Sequence, residues 1–180
     1  MRQSSNRTHV RSRRGGRALA ALLVALGVLA ASGCYPGATP TSAVNALDDR
    51  DAVAELKARY FRFLDTKDWS RFHGLFLPDA HVDVSADGGP VFDRTDVFVG
   101  FLVATIGSTV TVHQGHMQEF RLTSATTARA TWALEDLLTF PIGSGVDAHG
   151  FGFYEETYEK VDGEWRIASL RLTRLRMDIG

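Results

Sequence analysis

Apolar residues recur with the spacing of a helix in three segments between residues 48 and 107. The first stripe comprises Val53, Leu56, Tyr60, Phe63 and Leu64. It follows a cluster of aspartates beginning at Asp48, and negative charge favours a helix start there. Asp68 is placed to cap a second, short helix that Pro78 would end, and Thr95 is placed to cap a third that stops at Gly107. We therefore predict three helices, two of them before the first strand.

Alternation of apolar and polar residues predicts strands, nearly all of them after residue 108. The predicted strands are 81–84, 109–122, 126–140, 151–161 and 165–177. Asp162-Gly163, between the last two, is a strong signal for a tight hairpin. Helices followed by a long antiparallel run predict an α+β fold, in which a cone-shaped, curved antiparallel sheet wraps around the N-terminal helices. Such a sheet buries one face and leaves a pocket at its open end.

The first 33 residues have the pattern of an export signal. An arginine-rich segment, 1–17, precedes the apolar segment 18–31, which is shorter than the ~20 residues that a membrane span needs. Small residues then lead to Cys34, and this run resembles a bacterial lipobox, in which the cysteine is acylated. We predict a lipoprotein-type signal peptide (1–33), a flexible tether (34–46) and one domain (47–180). The protein would be exported and held on the outer face of the cytoplasmic membrane by the lipid on Cys34; simple secretion and an uncleaved anchor helix are the alternatives.

Composition limits the classes of partner. The chain carries 20 Lys+Arg and 21 Asp+Glu, but six of the arginines precede residue 34. The remaining 14 basic and 21 acidic residues give residues 34–180 a net charge of about −7, which argues against binding to nucleic acid. A single cysteine excludes an intrachain disulfide, and no Cys/His cluster has the spacing of a zinc site. We therefore expect no metal.

Two charged residues stand in apolar rows of the predicted strands. Asp136 shares its side of the strand with Trp132 and Leu134, and Arg174 shares its side with two leucines. A buried charge is costly unless it is paired or takes part in chemistry, so either the two residues form a buried ion pair or they are functional. The apolar residues of the last strand change phase along its length, which predicts a β-bulge near Ser169.

Three further residue types suited to acid–base chemistry occupy ordered segments. Tyr60 lies on the stripe of the first helix, where its hydroxyl either enters a cavity or bonds to the backbone in the core. Asp65 follows at the end of the same helix. His113 and His116 share one strand, and the alternation places His116 in phase with Val112. Periodicity alone therefore favours His116 as the inward histidine.

Four segments carry a resemblance to a known family. They are 54–69 (AELKARYFRFLDTKDW), 112–116 (VHQGH), 130–137 (ATWALEDL) and 154–165 (YEETYEKVDGEW). They look like the SnoaL-like branch of the nuclear transport factor 2-like superfamily, with the bile acid 7α-dehydratases as the nearest resemblance and the scytalone dehydratases more distant. The resemblance implies a catalytic set of Tyr60, Asp65, His113, Asp136 and Arg174. It therefore favours His113 over His116.

The resemblance also implies a function. It predicts a dehydratase, a lyase that works without a cofactor, or a related isomerase that uses the same enolate chemistry. In this scheme His113 moves protons, Asp136 holds the histidine ring and Tyr60 donates to a carbonyl that becomes an enolate. The expected substrate is a small, apolar, cyclic hydroxy ketone, steroid- or polyketide-like. Further candidates for the pocket wall are His116, Trp132 and Leu134. Homodimerisation through the sheet is also expected. The alternative is a lipoprotein without activity, whose cone binds an apolar ligand or a protein partner, since a fold alone does not establish activity.

Overall fold

The computed structural model describes residues 40–141 and 147–180. Its helices are α1 (Pro40–Asp65), α2 (Trp69–His73) and α3 (Thr95–Ile106), with a 3-10 turn at Ser85–Asp87. Its strands are β1 (Phe76–Asp83), β2 (Val91–Phe92), β3 (Val110–Leu122), β4 (Thr127–Thr139), β5 (Asp147–Val161) and β6 (Glu164–Ile179). The predicted signal peptide, Cys34 and residues 35–39 of the predicted tether lie outside the described residues.

Helix α1 begins earlier than its apolar stripe predicts. It starts at Pro40, so residues 40–46 of the predicted tether are helical. Proline is tolerated in the first turn of a helix, because an N–H group there has no partner within the helix. The stripe itself is confirmed, since Val53 and Leu56 are buried in the core. No helix in the described part of the chain has both the length and the apolar character needed to cross a bilayer.

Helix α2 is shorter than predicted. Asp68 caps it as expected, because its Oδ1 accepts a hydrogen bond from the backbone N–H of Arg71 at 3.2 Å. The helix ends at His73, however, and β1 begins at Phe76. Pro78, expected to end the helix, instead lies within β1 where the pairing with β6 is irregular. A proline has no N–H to donate, so an interruption of the ladder is where a strand tolerates it.

The six strands of the described residues form one sheet in the order β2-β1-β6-β5-β4-β3. Neighbouring strands are antiparallel, except that β1 and β6 are parallel. The predicted hairpin between β5 and β6 is confirmed: Asp162 and Gly163 have positive φ values of 53° and 85°. This is the predicted α+β fold, with α1 packed against a curved sheet.

Two irregularities in β6 change which of its residues face the core. The pairing with β5 skips Ala168, next to the predicted bulge at Ser169. Ile167 and Leu170 are therefore both buried, at 0% and 1% exposure, although they are three residues apart. A second shift skips Leu175, whose side chain is exposed. The change of phase seen in the sequence is thus a real feature of the strand.

Aromatic side chains fill the space between the sheet and the helices. The ring centroids of Tyr60 and Phe72 are 4.9 Å apart, those of Phe72 and Phe76 are 5.3 Å apart, and those of Phe76 and Phe98 are 5.8 Å apart. These tilted and edge-on contacts are the arrangements that aromatic pairs favour. Tyr60 and Phe98 also line a cavity, so the aromatic cluster borders it.

Candidate active site

A cavity of about 600 Å³ opens among α1, α3, the 3-10 turn and the strands β3 to β6. Its volume is within the range of small-molecule sites. Its polar lining side chains are Tyr60, Asp87, Thr105, His113, Asp136, Tyr154 and Arg174. Most of the remaining lining residues are apolar and include Leu64, Phe101, Leu102 and Leu172. Within residues 40–141 and 147–180, no group of three or more His, Cys, Asp or Glu side chains is placed to hold a metal ion. Four of the five residues predicted from the resemblance thus line one cavity, and Asp65 is bonded to one of them.

Asp65 holds the ring and the backbone of His113. Its Oδ1 lies 2.7 Å from the Nδ1 of His113, and its Oδ2 accepts the backbone N–H of the same residue at 2.9 Å. An ionised carboxylate can only accept hydrogen bonds, so Nδ1 carries the proton and Nε2 keeps its lone pair. The His113 side chain is 7% exposed and lines the cavity. The imidazole is therefore fixed in the tautomer that can accept a proton through Nε2.

Two further side chains orient this carboxylate. The Thr111 hydroxyl donates to Asp65 Oδ1 at 2.9 Å and accepts from the Lys67 ammonium at 2.8 Å. Burial lowers the pKa of Lys67, although the charge of Asp65 opposes the change. Lys67 also has a positive φ of 59°, which turns the chain directly after α1. The helix end, the turn and strand β3 thus converge on one carboxylate.

Strand β3 turns His113 inward, contrary to the phase that the sequence favours. Val110 and Val112 are 68% and 44% exposed, whereas Thr111 is buried. The His116 side chain is 49% exposed, and His116 does not line the cavity. In the first part of this strand the two valines lie on the outer face, whereas Thr111 and His113 face inward, where Asp65 bonds to both. The expectation that His116 contributes to the pocket is therefore wrong.

Asp136 forms a buried ion pair with Arg174 rather than a hydrogen bond with His113. Arg174 donates from Nη1 and Nη2 to the two oxygens of Asp136, at 3.0 and 2.7 Å. Its Nε and Nη2 donate to Asp87, at 2.6 and 2.7 Å, so the guanidinium bridges two carboxylates. Burial opposes the charge of Arg174, but the hydrogen bonds to Asp87 and Asp136 raise its pKa. The hydrogen bond to the histidine ring that was expected of Asp136 is made by Asp65.

Gly150, in strand β5 between β4 and β6, lets the side chains of Asp136 and Arg174 meet. Asp136 of β4 lies opposite Gly150 of β5 on one side and opposite His113 of β3 on the other. A Cβ atom at Gly150 would overlap both Asp136 Oδ1 and Arg174 Nη1. The ion pair thus crosses over β5 where that strand has no side chain.

Tyr60 is joined in the cavity by a second phenol, Tyr154. The ring centroids of the two residues are 5.7 Å apart, in an edge-on arrangement. Burial, followed by the charge of Glu156, raises the pKa of Tyr60, and burial, followed by Tyr60, raises the pKa of Tyr154. Both phenols are therefore neutral and able to donate hydrogen bonds near neutral pH.

Trp132 and Leu134 lie in the hydrophobic core and not in the cavity wall. They are 5% and 3% exposed, and neither is among the lining residues. The indole N–H of Trp132 donates to the Tyr158 hydroxyl at 2.9 Å, which satisfies its polar group inside the core. The expectation that these two side chains line the pocket is wrong, because both are packed within the core.

Two further buried charged residues, Lys57 and Glu156, carry a signal in the sequence. Lys57 lies on the stripe of α1, and Glu156 lies between Tyr154 and Tyr158 in a buried row of β5. Each is a charged residue in an apolar row, the same signal that marked Asp136. Asp87 gave no such signal, because it lies in a turn with no periodicity.

Comparison with known proteins relates the domain to one family. Residues 45–171 match the SnoaL-like domain. A protein of Gibberella zeae named Probable cyclase FGR4 is 30% identical over 137 residues, which cover 68% of this chain and 89% of that protein.

Solved structures share the fold. A candidate scytalone dehydratase from Novosphingobium aromaticivorans has a TM-score of 0.69 at 20% identity, over 76% of this chain and 90% of that one. The hexachlorocyclohexane dehydrochlorinase LinA-type3 from Novosphingobium barchaimii has a TM-score of 0.67 at 16% identity, over 77% and 94%. The fold, the match to the domain and the relative together establish that this chain belongs to the SnoaL-like family, within the nuclear transport factor 2-like superfamily.

Proposed function

We propose that the protein is a lyase of the dehydratase type, which removes water from an uncharged, apolar, cyclic β-hydroxy ketone, steroid- or polyketide-like. One observation carries the proposal: the His113 ring, held by Asp65 with Nε2 able to accept a proton, lines the same largely apolar cavity as the Tyr60 phenol. A base and a donor for a developing oxyanion are the two groups that this elimination needs.

The reaction begins with removal of a proton from the carbon next to the carbonyl. His113 Nε2 takes this proton, and the electron pair of the C–H bond moves toward the carbonyl oxygen, which accepts the Tyr60 O–H. The enolate then expels the β-hydroxyl group as its C–O bond breaks, and the imidazolium returns the proton so that water leaves. Positioned acid–base catalysis contributes about 10² to 10⁴ in rate, and an oxyanion donor contributes about 10² to 10³. The elimination is redox-neutral, so these residues are sufficient for it.

Asp65 has a positioning role in this scheme. Its carboxylate is 2.7 Å from His113 Nδ1, where it stabilises the imidazolium that forms during proton transfer. The second bond, from the backbone N–H of His113, fixes the carboxylate relative to β3. Asp65 therefore acts through His113 and does not itself need to reach the substrate.

The charges around the cavity favour a ligand without carboxylate or phosphate groups. Asp65, Asp87 and Asp136 are gathered around it, whereas Arg174 is the cation of its wall, and the bonds to Asp87 and Asp136 occupy most of the guanidinium. A permanently anionic ligand would meet repulsion in this environment. Arg174 and its two partners therefore serve to shape the wall.

The names of similar proteins support an elimination. One structural neighbour is a dehydrochlorinase and another is a candidate dehydratase, and both names denote eliminations. The Gibberella zeae relative is named as a cyclase. From these names we carry over to this chain only the general class of reaction, an elimination.

The test is turnover of a panel of uncharged cyclic β-hydroxy ketones with one to four fused rings. Each product is a conjugated enone, which is measured by its ultraviolet absorbance. We expect the wild type to dehydrate at least one of them, His113→Ala to lose this activity, and His116→Ala, changed on the outer face of the same strand, to keep it. Binding of these ketones without turnover by the wild type would overturn the proposal and favour a ligand-binding lipoprotein.

We also propose that the enzyme works outside the cytoplasm, on the basis of the arginine-rich segment, the apolar segment and Cys34. Mass spectrometry of the mature N-terminus tests this proposal. A diacylated or triacylated Cys34 at the first position is expected, and an intact residue 1–33 segment would contradict it.

A further inference from the structure

A second buried ion pair lies behind the phenols, and the proposed reaction does not use it. The Lys57 ammonium is 1% exposed and donates to Glu156 Oε1 at 2.5 Å. The other carboxylate oxygen of Glu156 accepts from the Tyr158 hydroxyl, which in turn accepts from the Trp132 indole. All four residues of this hydrogen-bonded series are buried. What this buried pair can do depends on the groups that the Lys57 ammonium contacts.

The ammonium of Lys57 lies against the faces of both cavity phenols. Its Nζ atom is 3.7 Å from the ring centroid of Tyr60 and 3.8 Å from that of Tyr154. A cation over an aromatic face is attracted by the electron density of the ring, and the attraction is stronger where water is excluded. A phenol polarised in this way is a stronger hydrogen-bond donor through its hydroxyl. Both residues line the cavity.

We propose that Lys57 is a positioning residue that strengthens hydrogen-bond donation from the Tyr60–Tyr154 pair to the oxygen of a bound ketone. The inference deepens the proposed function and rests on it, because it assigns the two phenols to the ligand carbonyl. Glu156 holds the ammonium in place and balances its charge. Stability alone does not call for such a pair, since well-packed apolar side chains stabilise a core at least as well as a buried ion pair.

The proposal predicts a dependence on pH. Burial lowers the pKa of Lys57 to about 8, although Glu156 opposes the change. The other groups that face the ammonium are Tyr60, Tyr154 and Tyr158 (through Glu156), and burial raises the pKa of each of these phenols. Lys57 is therefore the group of this cluster expected to lose its proton near pH 8. Polarisation of the phenols should be present below that pH and should be lost as the pH rises through it.

The test uses 1-indanone labelled with ¹³C at its carbonyl, an uncharged cyclic ketone whose carbonyl resonance moves downfield as the hydrogen bonds that it accepts become stronger. The variant Lys57→Gln/Glu156→Gln removes the charges and leaves two amides that can bond to each other. The matched control is Lys160→Gln/Asp49→Asn, because Lys160 is also paired with a carboxylate and lies over an aromatic ring, Trp165, 4.8 Å from its centroid.

We expect the bound resonance to lie further downfield in the wild type and in the control than in the Lys57→Gln/Glu156→Gln variant. In the wild type this downfield displacement should decline with a midpoint at about pH 8. An equal, pH-independent resonance in wild type and variant would overturn the proposal, even if turnover by His113 is established. If the double variant does not fold, the pH titrations of the wild type and of the single variant Glu156→Gln decide the question. Loss of the Glu156 charge removes what opposes the effect of burial on the pKa of Lys57, so the midpoint of the variant should lie below that of the wild type, and an unchanged midpoint would overturn the proposal. Failure of the wild type to bind the ketone would overturn the assignment of the cavity, and this inference with it.

Discussion

Replacing Asp65 by asparagine disrupts its contacts with His113 in either orientation of the amide. If the amide oxygen takes the place of Oδ1, the NH2 group faces the backbone N–H of His113. In the wild type this N–H donates to Oδ2 at 2.9 Å. If the amide is reversed, its NH2 group faces Nδ1 of His113, which in the wild type lies 2.7 Å from Oδ1. Nδ1 must then accept, so the proton moves to Nε2, and the ring loses the lone pair with which it would take a substrate proton.

The size of the effect follows from the charge that is lost. Two unit charges about 4 Å apart interact by about 4 kcal/mol at an effective dielectric constant of about 20. The Asp65 side chain is 22% exposed, so solvent screens part of this interaction, and about 2 to 4 kcal/mol remains for the transition state. At about 1.4 kcal/mol per tenfold change, kcat for Asp65→Asn should fall by about 30-fold to 700-fold.

The assay is steady-state dehydration of a β-hydroxy ketone by the wild type, Asp65→Asn and the control Asp93→Asn. The control changes an exposed pair of the same kind, in which His81 Nδ1 lies 2.6 Å from Asp93 Oδ1, outside the cavity. We expect the control to keep its kcat and Asp65→Asn to keep its fold, with a thermal midpoint lowered by only a few degrees. A kcat for Asp65→Asn within about threefold of the wild type would refute the role assigned to the carboxylate.

Three further substitutions probe other parts of the molecule. Gly150→Ala should destabilise the domain by about 3 to 5 kcal/mol in urea unfolding, because its Cβ overlaps the Asp136–Arg174 pair; an unchanged midpoint would show that the pair is not held there. Tyr60→Phe should lower kcat by about 10²-fold with little change in thermal stability, since the phenol of Tyr154 remains. Full activity would show that Tyr60 takes no part in the reaction. Cys34→Ser should move the protein from the detergent phase to the aqueous phase in a partition assay, and unchanged partition would exclude lipid anchoring through this residue.

Features that depend on neighbouring residues were predictable from the sequence. The Asp162-Gly163 hairpin and the bulge next to Ser169 follow from local propensity and periodicity. The prediction that Thr95 caps α3 was wrong by one residue, because Arg94 holds the capping position and the Thr95 hydroxyl donates to the backbone oxygen of Leu77. The curved sheet also follows, because strands in this order and of this length have few other ways to bury one face. The early start of α1 was not predictable from the apolar stripe, since residues 40–46 carry little of it.

The contacts of the site depend on residues far apart in the chain. Asp136 had two plausible partners, His113 and Arg174, and the gap at Gly150 directs it to the arginine. Periodicity placed His116 inward because it assumed that valines are buried, whereas the valines of β3 lie outside. The resemblance chose His113 correctly as the histidine facing the cavity, although it did not reveal which carboxylate holds the ring.

Exchange of hydrogen for deuterium next to a ketone isolates the step assigned to His113. 1-Indanone has a carbonyl and adjacent C–H protons but no β-hydroxyl group to expel, so proton removal is all that the enzyme can catalyse on it. In D2O, followed by proton NMR, the wild type and His116→Ala should accelerate exchange at this carbon, whereas His113→Ala should not exceed the rate in buffer. Exchange that is absent in the wild type, or equally fast in His113→Ala, would contradict the assignment of His113 as the base.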